Sequence, residues 1–403
     1  MNFRFLVLIG MLCICGYACV EPFSVVFSAS KEYIVVDGVI TDSVDPQFII
    51  LSKTNPDSKN ESSEFSQTIW TKGNSTLPLT GVKAKVIVNE TQVFDLTEDV
   101  PGSYQLPLNF RGKVGDSYKI HFVTENGNNY ESASEKMLPV TPIKSAYDVY
   151  SPKGINRATA FYGEYVPSND VYIDFDDTQG EKNFYRWQWT LWEIQKMCST
   201  CNQGKYYLFD DKNGVNGDCF KDLTLNYNNI YDYYCEDLCW DIFYSSDINI
   251  FADTYTNGQS QKDKLVAQIP VHQSNPCLVS LQQQSLTPAA YRFLKLLQDQ
   301  TVNTGTLADT PPAPIQGNVL NVNDKNELVI GFFTASSVSE YRTMLWRKNT
   351  KNVAALNQLF KTIKNRDPII EEKSPERPYI PLAQCKKSKA RTPFLPRDWK
   401  WIQ

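Results

Sequence analysis

Ten cysteines carry most of the chemistry this chain can offer. Cys13, Cys15 and Cys19 lie near the amino end, and Cys198, Cys201, Cys219, Cys235, Cys239, Cys277 and Cys385 follow far downstream. CSTC (Cys198, Cys201) and CEDLC (Cys235, Cys239) have the spacing of two zinc half-sites, in which paired thiolates from two turns close a tetrahedron. In an oxidising compartment the same residues are read as disulfides. Where the protein works therefore decides which chemistry applies. Spacing leaves the connectivity open, and an odd set of downstream cysteines leaves one free or paired between chains.

The first residues bear on that compartment. Arg4 precedes the apolar run Phe5 to Ile14, and small residues follow, the three-part pattern of a secretory signal. A bilayer span needs about 20 apolar residues, so this run is too short to cross. Ala18 then stands directly before Cys19, as in bacterial lipoprotein signals, although Gly16 occupies the position where Leu is usual. Cys13 and Cys15 follow Leu12 and Ile14 inside the run and fit such processing worse. The expectation is removal of residues 1–18 and acylation of Cys19. Plain secretion with Cys19 in a disulfide and a buried amino-terminal helix are the alternatives. Each buried CH2 of an acyl chain contributes about 0.8 kcal/mol, so several chains on one residue hold a protein at a membrane. Export favours bridges over metal for the seven later cysteines.

Other reactive groups are scarce. The chain has two histidines, and His121 sits in a strand pattern, KIHFV, that suits a structural role. It contains no nucleophile-elbow, zinc-protease or phosphate-loop motif. FDDTQGEKN gathers Asp174, Asp176 and Asp177, yet Gln179 stands where a calcium loop needs Gly and Tyr185 where it needs Glu. A glycosidase carboxylate pair is defined by distance in space and leaves no local signature. No cofactor is expected. The net charge of -5, which becomes -6 once Arg4 is lost with the signal, excludes a nucleic-acid footprint.

The elements that position these groups read as mainly β. Across 33–140, YIVVDGVI, QFIILSK, VKAKVIVN, QVFDL, GSYQLPL and SYKIHFV alternate or run apolar between turn signals, which predicts a β-sandwich. Residues 19–32 form a tether before it, and residues 55–76 a polar loop within it. Pro139 and Pro142 mark a boundary, and a second β-rich domain spans 143–365. In it VYIDFDD and FYRWQWTLWEI read as strands, with Tyr185, Trp187, Trp189 and Leu191 on one face, a sheet core or else a stacking platform for a planar ligand. Residues 196–245 read as a stapled, tyrosine-rich insertion. Strands INIFAD, KLVAQIPV and CLVSLQQQ follow, then a helix capped by Thr287, with Pro288 in its first turn and Ala290, Phe293, Leu294 and Leu297 on one face. ELVIGFF and VSEYRTMLW are expected to complete this domain, with a short helix near Leu356, Leu359, Phe360 and Ile363. The tail 366–403 reads as a strap across the surface.

Pro312 to Val338 (PAPIQGNVLNVNDKNELVIGFFTASSV), Cys239 to Asp253 (CWDIFYSSDINIFAD) and SLTPAAYRFLKLLQDQ resemble a family of Bacteroidota-type envelope lipoproteins catalogued as domain of unknown function 4249. CVEPF and YIVVDGVITD resemble the same family's opening. The resemblance implies an outer-membrane lipoprotein with an immunoglobulin-like or carboxypeptidase-regulatory-like first sandwich, associated with a TonB-dependent transporter. Glu21 is the acidic residue near the lipid, and display on the cell surface is expected. The family's Cys-rich tail is similar to PLAQCKKSKARTPFLPRDW, which implies a bridge from Cys385 to Cys277 or into the insertion.

The expected role is therefore a non-enzymatic accessory lipoprotein that binds a small-molecule or oligomeric nutrient or docks on an outer-membrane transporter. Tyr206, Tyr207, Tyr231, Tyr233, Tyr234 and Trp240 are the candidate contact residues, because rigid aromatics bury much area with few rotatable bonds. A surface hydrolase acting on glycan or peptide is the rival, and a structural or adhesive envelope protein the third reading.

Overall fold

The computed structural model describes residues 32–55, 76–156, 165–180, 182–212, 214–226, 229–301, 315–348, 350, 359–364 and 366–401. The expected signal, Cys19, nearly all of the tether, the heart of the polar loop and Leu356 lie outside these residues. Among the described residues no helix is long and apolar enough to cross a membrane.

The first sandwich forms because its strands alternate. Strand Ile34–Thr41 turns Ile34, Val36 and Ile40 inward, and Phe48–Thr54 adds Ile49 and Leu51. Facing them, Lys83–Val88 and Ser117–Val123 supply Val86, Val88, Ile120 and Phe122. Each such side chain contributes about 1.5–3 kcal/mol through apolar burial. Tyr104 is also fully buried, and its hydroxyl donates to Leu79 O at 2.7 Å while accepting from Val82 N at 3.1 Å, so no polar atom of the phenol is stranded.

ELVIGFF forms a strand as expected, but in this first sandwich. Val329–Ser336 pairs in parallel with Ile34–Thr41, from Ile34 opposite Val329 to Thr41 opposite Ser336. Val319–Asn321 pairs with Asn129–Ser132 in the facing sheet. Val319, Val329, Phe333 and Ala335 thereby join the first core. Apolar alternation identifies a strand without naming its neighbour, and a parallel partner is always remote in sequence. Gly331 holds a φ of 90° within this strand, and a Cβ there would lie 2.0 Å from Val36 O.

The second sandwich packs a three-stranded sheet (Ile143–Asn156, Tyr165–Asp176, Ser260–Pro270) on a larger one. The larger sheet runs Val338–Leu345, Cys277–Ser285, Phe184–Ile194, Trp240–Tyr244 and Arg391–Thr392, and Asn249–Ala252 also pairs with Phe184–Ile194. Tyr185, Trp187, Trp189 and Leu191 are core, packed on Phe175, Ile173 and Val171. The stacking-platform alternative thus gives way to the core one. Trp187 Nε1 donates to Gln283 Oε1 at 2.9 Å, which satisfies the indole in a dry setting.

Helix Pro288–Thr301 begins where expected: Ala290 N donates to Thr287 Oγ1 at 3.1 Å, and Ala290 and Phe293 are buried. Helix Leu359–Lys364 buries Leu359 and Phe360. The chain passes between sandwiches at Ser337, whose hydroxyl donates to Leu138 O at 2.6 Å. Ser285 Oγ donates to the same carbonyl at 2.6 Å and accepts from Ser337 N at 3.0 Å. Thr287 Oγ1 donates to buried Glu135 at 2.6 Å, and Val338 N to Asp42 at 2.9 Å. The prolines expected at the boundary flank this bonded junction.

Candidate functional site

The stapled insertion is two short antiparallel pairs. Met197–Asn202 pairs with Ile230–Tyr234, and Gly204–Asp211 forms a hairpin with Gly214–Lys221. Cys201–Cys219 ties the two pairs together, and Cys198–Cys235 closes the first. Cys239–Cys385 fastens the carboxyl-terminal tail, the bridge into the insertion region that the resemblance implied rather than one to Cys277. Among the described residues Cys277 is the free cysteine, and burial pushes its thiol pKa far up, so it is inert as a nucleophile. The sulfurs of Cys198, Cys239 and Cys385 lie within 4.8 Å of one another, so two bridges touch where a zinc set was the alternative.

Strand periodicity splits the six aromatic candidates. Tyr206 and Tyr233 are 2% and 0% exposed, with ring centroids 5.3 Å apart, and Tyr233 donates to Glu371 at 2.7 Å. Trp240 is 1% exposed, packed on Leu278, Met344 and Trp399, and belongs to the larger sheet of the second sandwich. These three are corrected from contact residues to core residues, because they fall on the inward face where aromatic area is best buried. The insertion accordingly ends before Trp240. Tyr231 is half-buried against the same small core, whereas Tyr207 and Tyr234 are exposed.

The outer face of the hairpin adds two residues that sequence reasoning missed. Phe209 lies two positions from Tyr207, and Phe220 stands opposite Lys205, so all three side chains share one face. Their exposures are 42% for Tyr207, 41% for Phe209 and 49% for Phe220, with Phe220 centroid distances of 5.9 Å and 6.0 Å to the other two. The alternation in KYYLF was the available signal. The guanidinium of Arg377, from the tail, lies 4.7 Å from the Tyr207 ring centroid and donates to Tyr206 O at 2.9 Å.

The tail is the expected strap, and it packs. Arg366 bonds both oxygens of buried Asp232 at 2.6 and 2.9 Å, and Arg391 bonds Asp241 at 2.6 Å. Ala383 bridges to Cys235 and is fully buried.

The acidic groups do not form a calcium loop. Asp174 is bonded by Lys262, Ser145 and the Asp263 amide, Asp176 by Lys144, and Asp177 by Tyr185 and the Gly258 amide. The local amides and cations hold Asp174 and Asp176 below the usual carboxylate range. Asp253 is buried beside Asp177, and burial raises its pKa, but this pair sits under Tyr185 instead of lining a cleft. His121 lies opposite Lys85 in a strand, and burial and that lysine lower its pKa.

A concavity lies between the sandwiches. It encloses about 1720 Å³ and is lined by Val35, Val39 and Phe332 of the first sandwich, Phe293 and Leu297 of the helix, and Arg186 of the second.

The sequence from residue 20 to residue 342 matches the family described as Domain of unknown function (DUF4249). The chain belongs to the DUF4249 family. The match to DUF4249 covers the first sandwich, the insertion and most of the second sandwich, and stops before the strap that supplies Cys385. No curated protein matches the chain.

Proposed function

We propose that this DUF4249 protein is a non-enzymatic envelope lipoprotein, acylated at Cys19, that docks as an accessory on a TonB-dependent outer-membrane transporter in nutrient uptake. The observation that carries the reading is the hairpin face of Tyr207, Phe209 and Phe220, three exposed aromatics held by a disulfide and by the strap. An exposed aromatic cluster on a stiff support suits a protein contact, because little conformational entropy is lost when it is covered. The lipid would hold the domain near the membrane, which raises the effective concentration of a membrane partner.

The test is affinity recovery of the full chain from detergent-solubilised envelope, followed by mass spectrometry. A transporter should accompany the native protein and be lost when Tyr207, Phe209 and Phe220 are all changed to Ser. Equal recovery with the triple variant refutes the docking face. Exposed substitutions of this kind change stability by about 0.5 kcal/mol or less, so an unchanged melting curve separates loss of contact from loss of fold.

A further inference from the structure

We propose that the cleft between the two sandwiches binds a carboxylate-bearing ligand, received by the guanidinium of Arg186. Strand Phe184–Ile194 sends Tyr185, Trp187 and Trp189 into the core, so Arg186 and Gln188 point the other way and line the cleft. Arg186 makes no direct ion pair among the described residues, Asp37 across the cleft being the carboxylate that acts on it, and its Nε is buried without a hydrogen-bond partner. What sets Arg186 apart among the described residues is the missing ion pair: Arg347 pairs with Glu193, although its own Nε is also buried without a partner, Arg366 with Asp232 and Arg391 with Asp241. A guanidinium stays protonated, and a buried donor left open is costly until an acceptor arrives.

Its surroundings fit an anion. The cleft is lined by Arg186, Lys364, Lys386, Lys387 and Arg391 against Asp37, Asp241 and Asp247. Arg391 and Asp241 neutralise each other, which leaves four cations facing two carboxylates in a protein whose net charge is negative. Gln284, opposite Arg186 in the antiparallel register, donates to Gln188 at 3.0 Å and keeps a buried Oε1 without a partner. The planar fork of Arg matches a carboxylate with two parallel bonds, and the apolar floor of Phe293 and Phe332, whose centroids are 5.0 Å apart, would cover the rest of the ligand.

This inference does not rest on the docking reading, since the hairpin and the cleft use different residues. The test uses the full chain labelled with 15N-arginine, with the Arg186 Nε–H signal assigned by its loss in Arg186→Gln. Acetate, acetamide and inorganic phosphate are titrated at constant ionic strength. A saturable shift of that signal with acetate and none with acetamide is expected. No saturable shift with acetate overturns the proposal, as does saturation by phosphate alone. The titration is read in the native chain, and the variant serves only for assignment, with retention of its other arginine signals showing that it folds.

Discussion

Glu193 and Arg347 meet at 2.6 Å with both side chains wholly excluded from solvent. Gln273 donates to Glu193 at 2.8 Å, and the arginine's two terminal nitrogens also reach the carbonyls of Pro270, Gln273 and Asn275. Removing one partner strands a buried charge. Arg347→Met is expected to cost about 3–5 kcal/mol, and adding Glu193→Leu to recover most of that loss, measured by urea unfolding. A double variant no more stable than the single one would refute the account.

Gly331→Ala places a methyl on the Val36 carbonyl in a backbone conformation that Ala resists. The expected loss is at least 2 kcal/mol, mechanistically from strain. Because the contact joins the parallel pair, hydrogen exchange should accelerate at Ile34–Thr41 as well as at Val329–Ser336. Faster exchange confined to residues near Gly331 would show that the pair is not coupled in this way.

Thiol titration offers a direct count of the covalent framework. With residues 1–18 removed and Cys19 acylated as proposed, the native protein should show no reactive thiol, and the unfolded protein one, from Cys277. Cys239→Ser with Cys385→Ser opens a bridge of sequence separation 146 and should cost about 3–5 kcal/mol while leaving the two bridges inside the insertion intact by peptide mapping.

Glu135 couples stability to pH. Burial at the junction raises its pKa from 4.5 to about 7, against the hydrogen bonds from Thr287 and Asn318. The native state therefore keeps its proton longer than the unfolded chain does. This group's contribution is fully favourable below about pH 4.5 and is lost as pH rises to about 7. Glu135→Gln keeps an acceptor for Thr287 and removes that loss. The variant should gain on the native protein between about pH 5 and 8, by roughly 2–3 kcal/mol, in melting curves across pH. A constant difference at all pH values would contradict the assignment.

How much of this was legible follows from the range of each signal. FYRWQWTLWEI shows its inward face directly, because the period of two is local, and the Thr287 cap lies three residues from the amide it receives. Tyr206 and Tyr207 are neighbours with opposite fates, and composition alone treats them alike; the strand period separates them only once the inward face is known. ELVIGFF was readable as a strand and not as the parallel partner of Ile34–Thr41, since no short-range feature names that neighbour. Arg186 stood in plain view between two inward aromatics, but the unpartnered state of its buried Nε is a property of the assembled sandwiches.

The parallel pair between Ile34–Thr41 and Val329–Ser336 also dictates an order of events during synthesis. The first strand leaves the ribosome early, yet the segment that covers its flank is translated only after almost all of the second sandwich. Until then the nascent chain carries an open, apolar β-edge, a template for wrong pairing and a natural target for a holding chaperone. Circularly permuting the gene so that residues 315–336 precede residue 33 would shorten that exposed interval.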